Sequence, residues 1–378
     1  MVLAFSGGGI DMNKFPFVLA SFPDPKMAKE AIVERLRRHQ RIMIARKSGE
    51  QPPLKDDGNI DEAAWSKRLA GLALEWDCGK RIERRARAIS ARHDETHGLS
   101  HLKSTDRDGL TALRDGVKLV AIASEHKADE LAAALHEEFP WMGPATEAVW
   151  HGMRNSVRRS DPGLRLPPML LDGPPGVGKT AWARHLGELL GTEHAVVDAT
   201  NENASFGLVG CQRGWSSSAP GRLLNTILSH RIANPVLVID EVEKAGRASS
   251  DKGVPYGLAE ALLPLLEPGS ARAWSCPYYQ VRFDLSYVIW VLTSNDFKML
   301  PEPLLSRCSP IRLRALSQSE LVNFARRQGL RKGLSETSVD AITDALQTST
   351  AKTAVSLRTV MRMIDRGTAL EGRGCQLH

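Results

Sequence analysis

Apolar positions recur along this chain with two periods, and the change of period divides it. Up to about residue 160 the spacing is helical. Asp24-Pro25 predicts a helix start, with Asp as N-cap and Pro in the first turn. Ala28, Ala31, Ile32, Leu36, Ile42 and Met43 then fall near one face. Residues 1–22 read as a loosely ordered arm and 49–59 as a polar loop. Helices are predicted over about 60–75, 79–92, 129–139 and 146–158. From residue 169 the pattern becomes short, continuous apolar runs that end in polar residues. These runs are 169–171, 194–198, 235–239, 286–295 and 310–313. Helical stretches at 221–233 and 256–266 lie between them. Such alternation predicts a mainly parallel sheet covered by helices. After residue 316 the helical period returns. Ser317 and Glu320 form a capping-box pattern, and helices are predicted over 320–328, 335–347 and 356–366. The chain therefore divides into a helical N-terminal region (1–105), a leading helical segment (106–160), an α/β domain (161–316) and a C-terminal helical module (317–378).

Between the first apolar run and the helix after it stand Gly173, Pro174, Pro175, Gly176, Val177, Gly178, Lys179 and Thr180. Two glycines, a Lys and a Thr at this spacing, between strand and helix, are the pattern of a phosphate-binding loop. The glycines let several backbone N–H groups converge on one phosphate, and the helix N-terminus adds partial positive charge. Lys179 can reach the β- and γ-phosphates, and the Thr180 hydroxyl can ligate Mg²⁺. A second run, 235–239, ends in Asp240 and Glu241. A buried parallel strand delivers such acids to its carboxyl end, where open α/β sheets bind ligands. Asp240 is placed to hold Mg²⁺ through water, and Glu241 to deprotonate an attacking water.

Composition adds limits. The net charge is +6 and 42% of residues are hydrophobic, ordinary for a globular chain. Residues 1–160 and 161–378 each carry +3, so nucleic acid is possible but not indicated. The five cysteines are scattered, which fits a reducing, cytoplasmic setting and argues against a disulfide framework. No apolar run approaches the length of a membrane span. Lys80, Arg81, Arg84, Arg85, Arg87 and Arg92 make a basic stripe, read either as a solvated face or as a contact for nucleic acid or an acidic partner. His93, His97 and His101 are spaced to share a helix face, but Gly98 and the lack of a flanking acid pattern weaken a metal reading. Trp141 and Met142, just upstream of the phosphate loop, are read either as a cover for adenine or as ordinary packing.

Taken together, residues 140–370 resemble the AAA+ ATPases, and within them the ATPase module of Lon-type proteases. Beyond the phosphate loop, the similarity rests on 234–244, on 261–268 followed by 279–286, on Asn295, on Pro303-Leu304-Leu305-Ser306-Arg307 and on Ser356-Leu357-Arg358. The resemblance implies a P-loop NTPase core with a parallel sheet, a C-terminal helical lid and a mainly helical N-terminal domain. It implies ATP and Mg²⁺ as ligands and a homo-oligomeric ring, by family habit a hexamer. In that family Asn295 would be the sensor that positions the attacking water. Arg307 would be the finger reaching a neighbour's γ-phosphate, and Arg358 would couple the lid to nucleotide. The family's substrate-gripping aromatic aligns best with Trp215, with Phe206 as the alternative. Lon enzymes continue into a peptidase domain, whereas about 60 residues follow Ala315 here, so no peptidase activity is expected of this chain. The function implied is ATP-driven remodelling or unfolding of a protein client, with a separate protease as a partner to consider. A DNA-transaction or mobile-element helper ATPase is the alternative, and a nucleotide-gated scaffold that does not hydrolyse ATP is disfavoured by Glu241, Asn295 and Arg307.

Overall fold

A computed structural model describes residues 14–56, 58–94, 98–200, 204–213, 218–245, 257–348 and 355–372. They fall into two compact units. One comprises residues 19–114, and the other comprises residues 115–378 with the segment that ends at Val18.

The first unit is helical. Its helices are α1 (Lys29–Lys47), α2 (Glu62–Ala70), α3 (Trp76–Asp94) and α4 (Ser104–Thr111). The Asp24 carboxylate does cap a turn, accepting from Lys26 N at 2.9 Å, but the turn is a 3-10 element, Pro25–Met27. Ala28 is extended (ψ 144°), so α1 begins only at Lys29, a correction to the expected helix start. Asp61 caps α2 through Ala63 N and Ala64 N. That helix stops at Gly71 rather than running to about 75. Trp65 and Leu69 of α2 bury themselves with Ala45 of α1.

The second unit holds the sheet. Helices α5 (Glu125–Glu138) and α6 (Gly143–Arg158) lead into β1 (Met169–Asp172), α7 (Lys179–Leu190) and β2 (His194–Asp198). Then follow α8 (Ala204–Val209), α9 (Arg222–His230), β3 (Val236–Asp240), α10 (Leu258–Leu266), α11 (Pro268–Ala271), β4 (Ile289–Ser294), α12 (Glu302–Leu305) and β5 (Pro310–Arg312). The five strands are all parallel, in the order β5-β1-β4-β3-β2. Their central runs are wholly apolar because both faces are covered. Leu170, Leu171, Val236, Leu237, Val238, Ile239, Ile289, Val291 and Leu292 are all fully buried. The order has a functional consequence. β4 lies between β1 and β3, so the loop after β1 and the acids after β3 face each other across the end of β4.

The C-terminal helices are α13 (Gln318–Arg331), α14 (Glu336–Thr348) and α15 (Leu357–Glu371). The Ser317–Glu320 capping box forms as predicted. Arg314 grips the Glu320 carboxylate with both nitrogens and, with help from Ser317, holds its pKa down to about 2. α13 is clamped to the end of α5. The Arg327 guanidinium donates to the Glu137 and Glu138 carbonyls, satisfying backbone acceptors that the helix terminus leaves open. Arg331 pairs with the Glu138 carboxylate at 2.8 Å.

Candidate active site

The phosphate loop takes the shape its glycines permit. Gly176 (φ 79°) and Gly178 (φ 95°) lie in the left-handed region that side chains disfavour. Gly173 is needed for closeness instead, since a Cβ there would stand 2.6 Å from the Leu313 carbonyl oxygen. The loop is fixed from behind by Trp141, whose indole N–H donates to the Val177 carbonyl at 2.8 Å. Trp141 and Met142 are buried in the core, so of the two readings for this pair packing is the one realised.

Lys179 occupies the first turn of α7 and is only 7% exposed. Its ammonium donates to Gly173 O (2.7 Å), Pro174 O (3.1 Å) and Asn295 Oδ1 (3.0 Å). Burial pushes its pKa down, and the carboxylates of Glu243, Asp172, Asp240 and Glu241 pull the other way. The next residue, Thr180, donates its hydroxyl to Asp240, 3.0 Å from both carboxylate oxygens. Thr293 of β4 also donates to Asp240, at 2.5 Å, and accepts from Glu241 N at 3.1 Å. That second bond supports an unusual backbone. Glu241 has φ 54°, a left-handed conformation costing a non-glycine residue about 1–2 kcal/mol. Its side chain is held by Lys244 at 2.5 Å. Three strand ends thus converge on one cavity of about 600 Å³, lined among others by Lys179, Thr180, Asp240, Glu241 and Asn295.

Residues 169–315 match the model of the ATPase family associated with various cellular activities (AAA). This stretch is an AAA domain. The chain is also similar to Lon proteases. It is 30% identical to Lon protease of Magnetococcus marinus over 76% of the chain and 34% of that relative. It is 29% identical to the peroxisomal Lon protease homolog 2 of Arabidopsis thaliana over 72% of the chain and 30% of that relative. With Lon protease of Chloroherpeton thalassium the similarity reaches 87% of the chain at 26% identity, covering 38% of the relative. The chain spans about a third of the length of the curated relatives it matches.

Further residues of the AAA domain and the helices after it complete the cavity. Arg358, at the start of α15, lines it from the C-terminal side. The contact is direct, because Leu357 N donates to the Gly176 carbonyl at 3.1 Å and a Cβ on Gly176 would meet Ser356 Cβ at 2.6 Å. Arg307 is not among the residues that line this cavity. Its guanidinium donates to Pro303 O at 2.9 Å and lies 3.4 Å from the Glu267 carboxylate. Phe206 falls on the short helix α8, 43% exposed. It borders a larger cavity of about 1390 Å³ beside β2. That cavity reaches Asp240 but holds neither Lys179 nor Thr180, so the chemistry belongs to the smaller one. Trp215 and His97 lie outside the described residues.

Two participants carry no local signature. Glu243 is 7% exposed, accepts from Asn295 Nδ2 at 2.9 Å and keeps its second oxygen buried with no partner among the described residues. Thr293 bridges Asp240 and Glu241 as described above. The available clue was only position: Glu243 is two residues beyond the acid pair, and Thr293 is two residues before Asn295. No described helix is long and apolar enough to cross a membrane.

Proposed function

We propose that this chain is a Mg²⁺-dependent ATPase that couples hydrolysis to the remodelling of a protein client within a ring of identical subunits. The observation that carries the reading is the junction of Lys179, Thr180, Asp240, Glu241 and Asn295 from three adjacent strand ends. The site's oxygens suit a hard cation, since the Thr180 hydroxyl lies against both oxygens of the Asp240 carboxylate. Those two residues would hold Mg²⁺, which supplies charge neutralisation on the phosphates when bound.

In the proposed reaction the curled backbone and the α7 N-terminus bind the phosphates, with Lys179 as the buried cation facing them. Glu241 takes the proton of the attacking water, and Asn295 orients that water. Because Asn295 touches both Lys179 and Glu243, its amide is fixed in one rotation: the oxygen faces the ammonium and the nitrogen faces the carboxylate. Arg307, set away from its own phosphate loop, serves the site of a neighbouring subunit. Arg358 and the Leu357–Gly176 contact tie the helical lid to nucleotide, so that hydrolysis moves the lid. The free thiols of Cys78, Cys276 and Cys308, together with Cys211, fit a reducing, cytoplasmic setting. Phe206 or Trp215 is the aromatic that grips the client, and a separate protease is a candidate downstream partner.

The test is phosphate release from purified protein with ATP and Mg²⁺. Arg307→Ala and Lys179→Ala chains are expected to be nearly inactive separately and to regain hydrolysis when mixed, because some junctions then pair an intact loop with an intact finger. Normal hydrolysis by assembled Arg307→Ala protein overturns the shared site, and no hydrolysis by the wild type overturns the ATPase reading.

A further inference from the structure

Divided at residue 160, the chain's charge is even. The boundaries that the fold itself draws give a different distribution. Residues 19–114 contain 20 Lys and Arg against 15 Asp and Glu, a net of +5 out of the whole chain's +6. Much of it lies on α3. At about 100° per residue, Trp76, Lys80, Arg84 and Arg87 share one quadrant of that helix, and Arg81, Arg85 and Arg92 the far side of the same half. All seven are exposed. The opposite side, Cys78, Ile82 and Ala86, is buried. Between Trp76 and Arg92 the only carboxylates are Asp77 and Glu83, and Glu83 faces Arg37 at 3.7 Å. Among the described residues none of the five arginine side chains makes a hydrogen bond or an ion pair.

We propose that this face of α3 binds single-stranded nucleic acid, with its cations on successive phosphates and Trp76 as a platform for an unpaired base. Charge complementarity selects a polyanion. Five of the six cations are Arg, whose planar fork fits phosphate oxygens, and they extend along roughly 24 Å of helix between Trp76 and Arg92. A bilayer is a poor match, because the helix has already buried its apolar side. Trp76 selects an unpaired base over a duplex. It is 72% exposed, and Lys80 Nζ stands 3.4 Å from the centre of its ring, which leaves the other ring face open for stacking. This inference does not rest on the ATPase reading, as every residue in it belongs to the helical unit.

Fluorescence anisotropy of the full chain with a labelled oligothymidylate about 20 nucleotides long tests it. The oligonucleotide is expected to bind, with log affinity falling against log salt at a slope of about −2 to −3 for three or four phosphate contacts. The pair Arg84→Glu and Arg87→Glu is expected to weaken binding about tenfold or more and to flatten the slope by about 1.4. Trp76→Ala, which leaves the charge intact, is expected to cost about fivefold or more with the slope unchanged. All three side chains are exposed, so circular dichroism melting is expected to match the wild type. Equal binding by the variants, tighter binding of a duplex, or equal competition by polyglutamate would each overturn the proposal, the last pointing to an acidic protein instead.

Discussion

Lys179 and Arg84 are both cations on helices, one in the first turn of α7 and the other midway along α3, and their surroundings are opposite. Lys179 is almost wholly enclosed. Three acceptors hold its ammonium and four carboxylates bear on it. Arg84 projects to solvent from a face where cation follows cation. A buried charge is tolerable only when its partners are fixed, so the first arrangement is rigid and specific. An exposed charge costs little and contributes little to the fold, so the second is free to meet a mobile polyanion. The contrast predicts that substitutions at the sheet's carboxyl end change chemistry strongly, whereas substitutions on the exposed face of α3 leave both fold and chemistry alone.

The largest expected effect is at Lys179. Lys179→Ala strands Glu243 and Asp240 without their cation, and calorimetry is expected to find ATP affinity reduced by about 10²-fold or more. Glu243→Ala probes the same cluster one step further out. It leaves the phosphate loop in place but frees the Asn295 amide, so turnover is expected to fall about tenfold while ATP affinity holds within a few-fold. An equal loss of both would show that Glu243 supports the loop rather than the sensor.

Smaller effects are expected outside the site. The Glu320 carboxyl has a pKa of about 2 in the fold against an ordinary value of 4.5. Its lowered pKa contributes stability that is fully present above pH 4.5 and is lost as pH falls toward 2. Glu320→Gln is therefore expected to lower the melting temperature at neutral pH by a few degrees, equivalent to about 1 kcal/mol. The gap from the wild type is expected to narrow as pH drops through that window, and a gap independent of pH would deny the ion pair its role. Smallest of all, Arg84→Glu is expected to change stability by less than about 0.5 kcal/mol and to leave ATP turnover unmoved, which a thermal melt and a phosphate assay check together.

What the sequence revealed and what it concealed follow the same division between local and distant. The phosphate loop, the acid-tipped run and the polar end of β4 are contiguous signals, because each is a strand terminus with its chemistry in the next few residues. The roles of Thr293 and Glu243 were not legible. Thr293 meets Asp240 from 53 residues away, and Asn295 meets Glu243 from 52 away, so both depend on β4 lying beside β3. The short helix that carries Phe206 has little local signal, because Gly207, within its six residues, is a residue that weakens helices. The concentration of charge in the helical unit belongs to the fold's own boundary near 114, and a division of the chain at 160 spreads it evenly.

The central claim, that three strand ends form one hydrolytic site with binding and chemistry assigned to different residues, is tested most directly by Glu241→Gln. The substitution preserves shape and the backbone bond from Glu241 N to Thr293, removes the base, and leaves Lys244 a neutral amide oxygen in place of a carboxylate. Measured side by side, Mg²⁺-ATP affinity is expected to stay at the wild-type value while turnover falls by about 10²-fold or more. Loss of affinity along with turnover, or turnover that survives, would contradict the account.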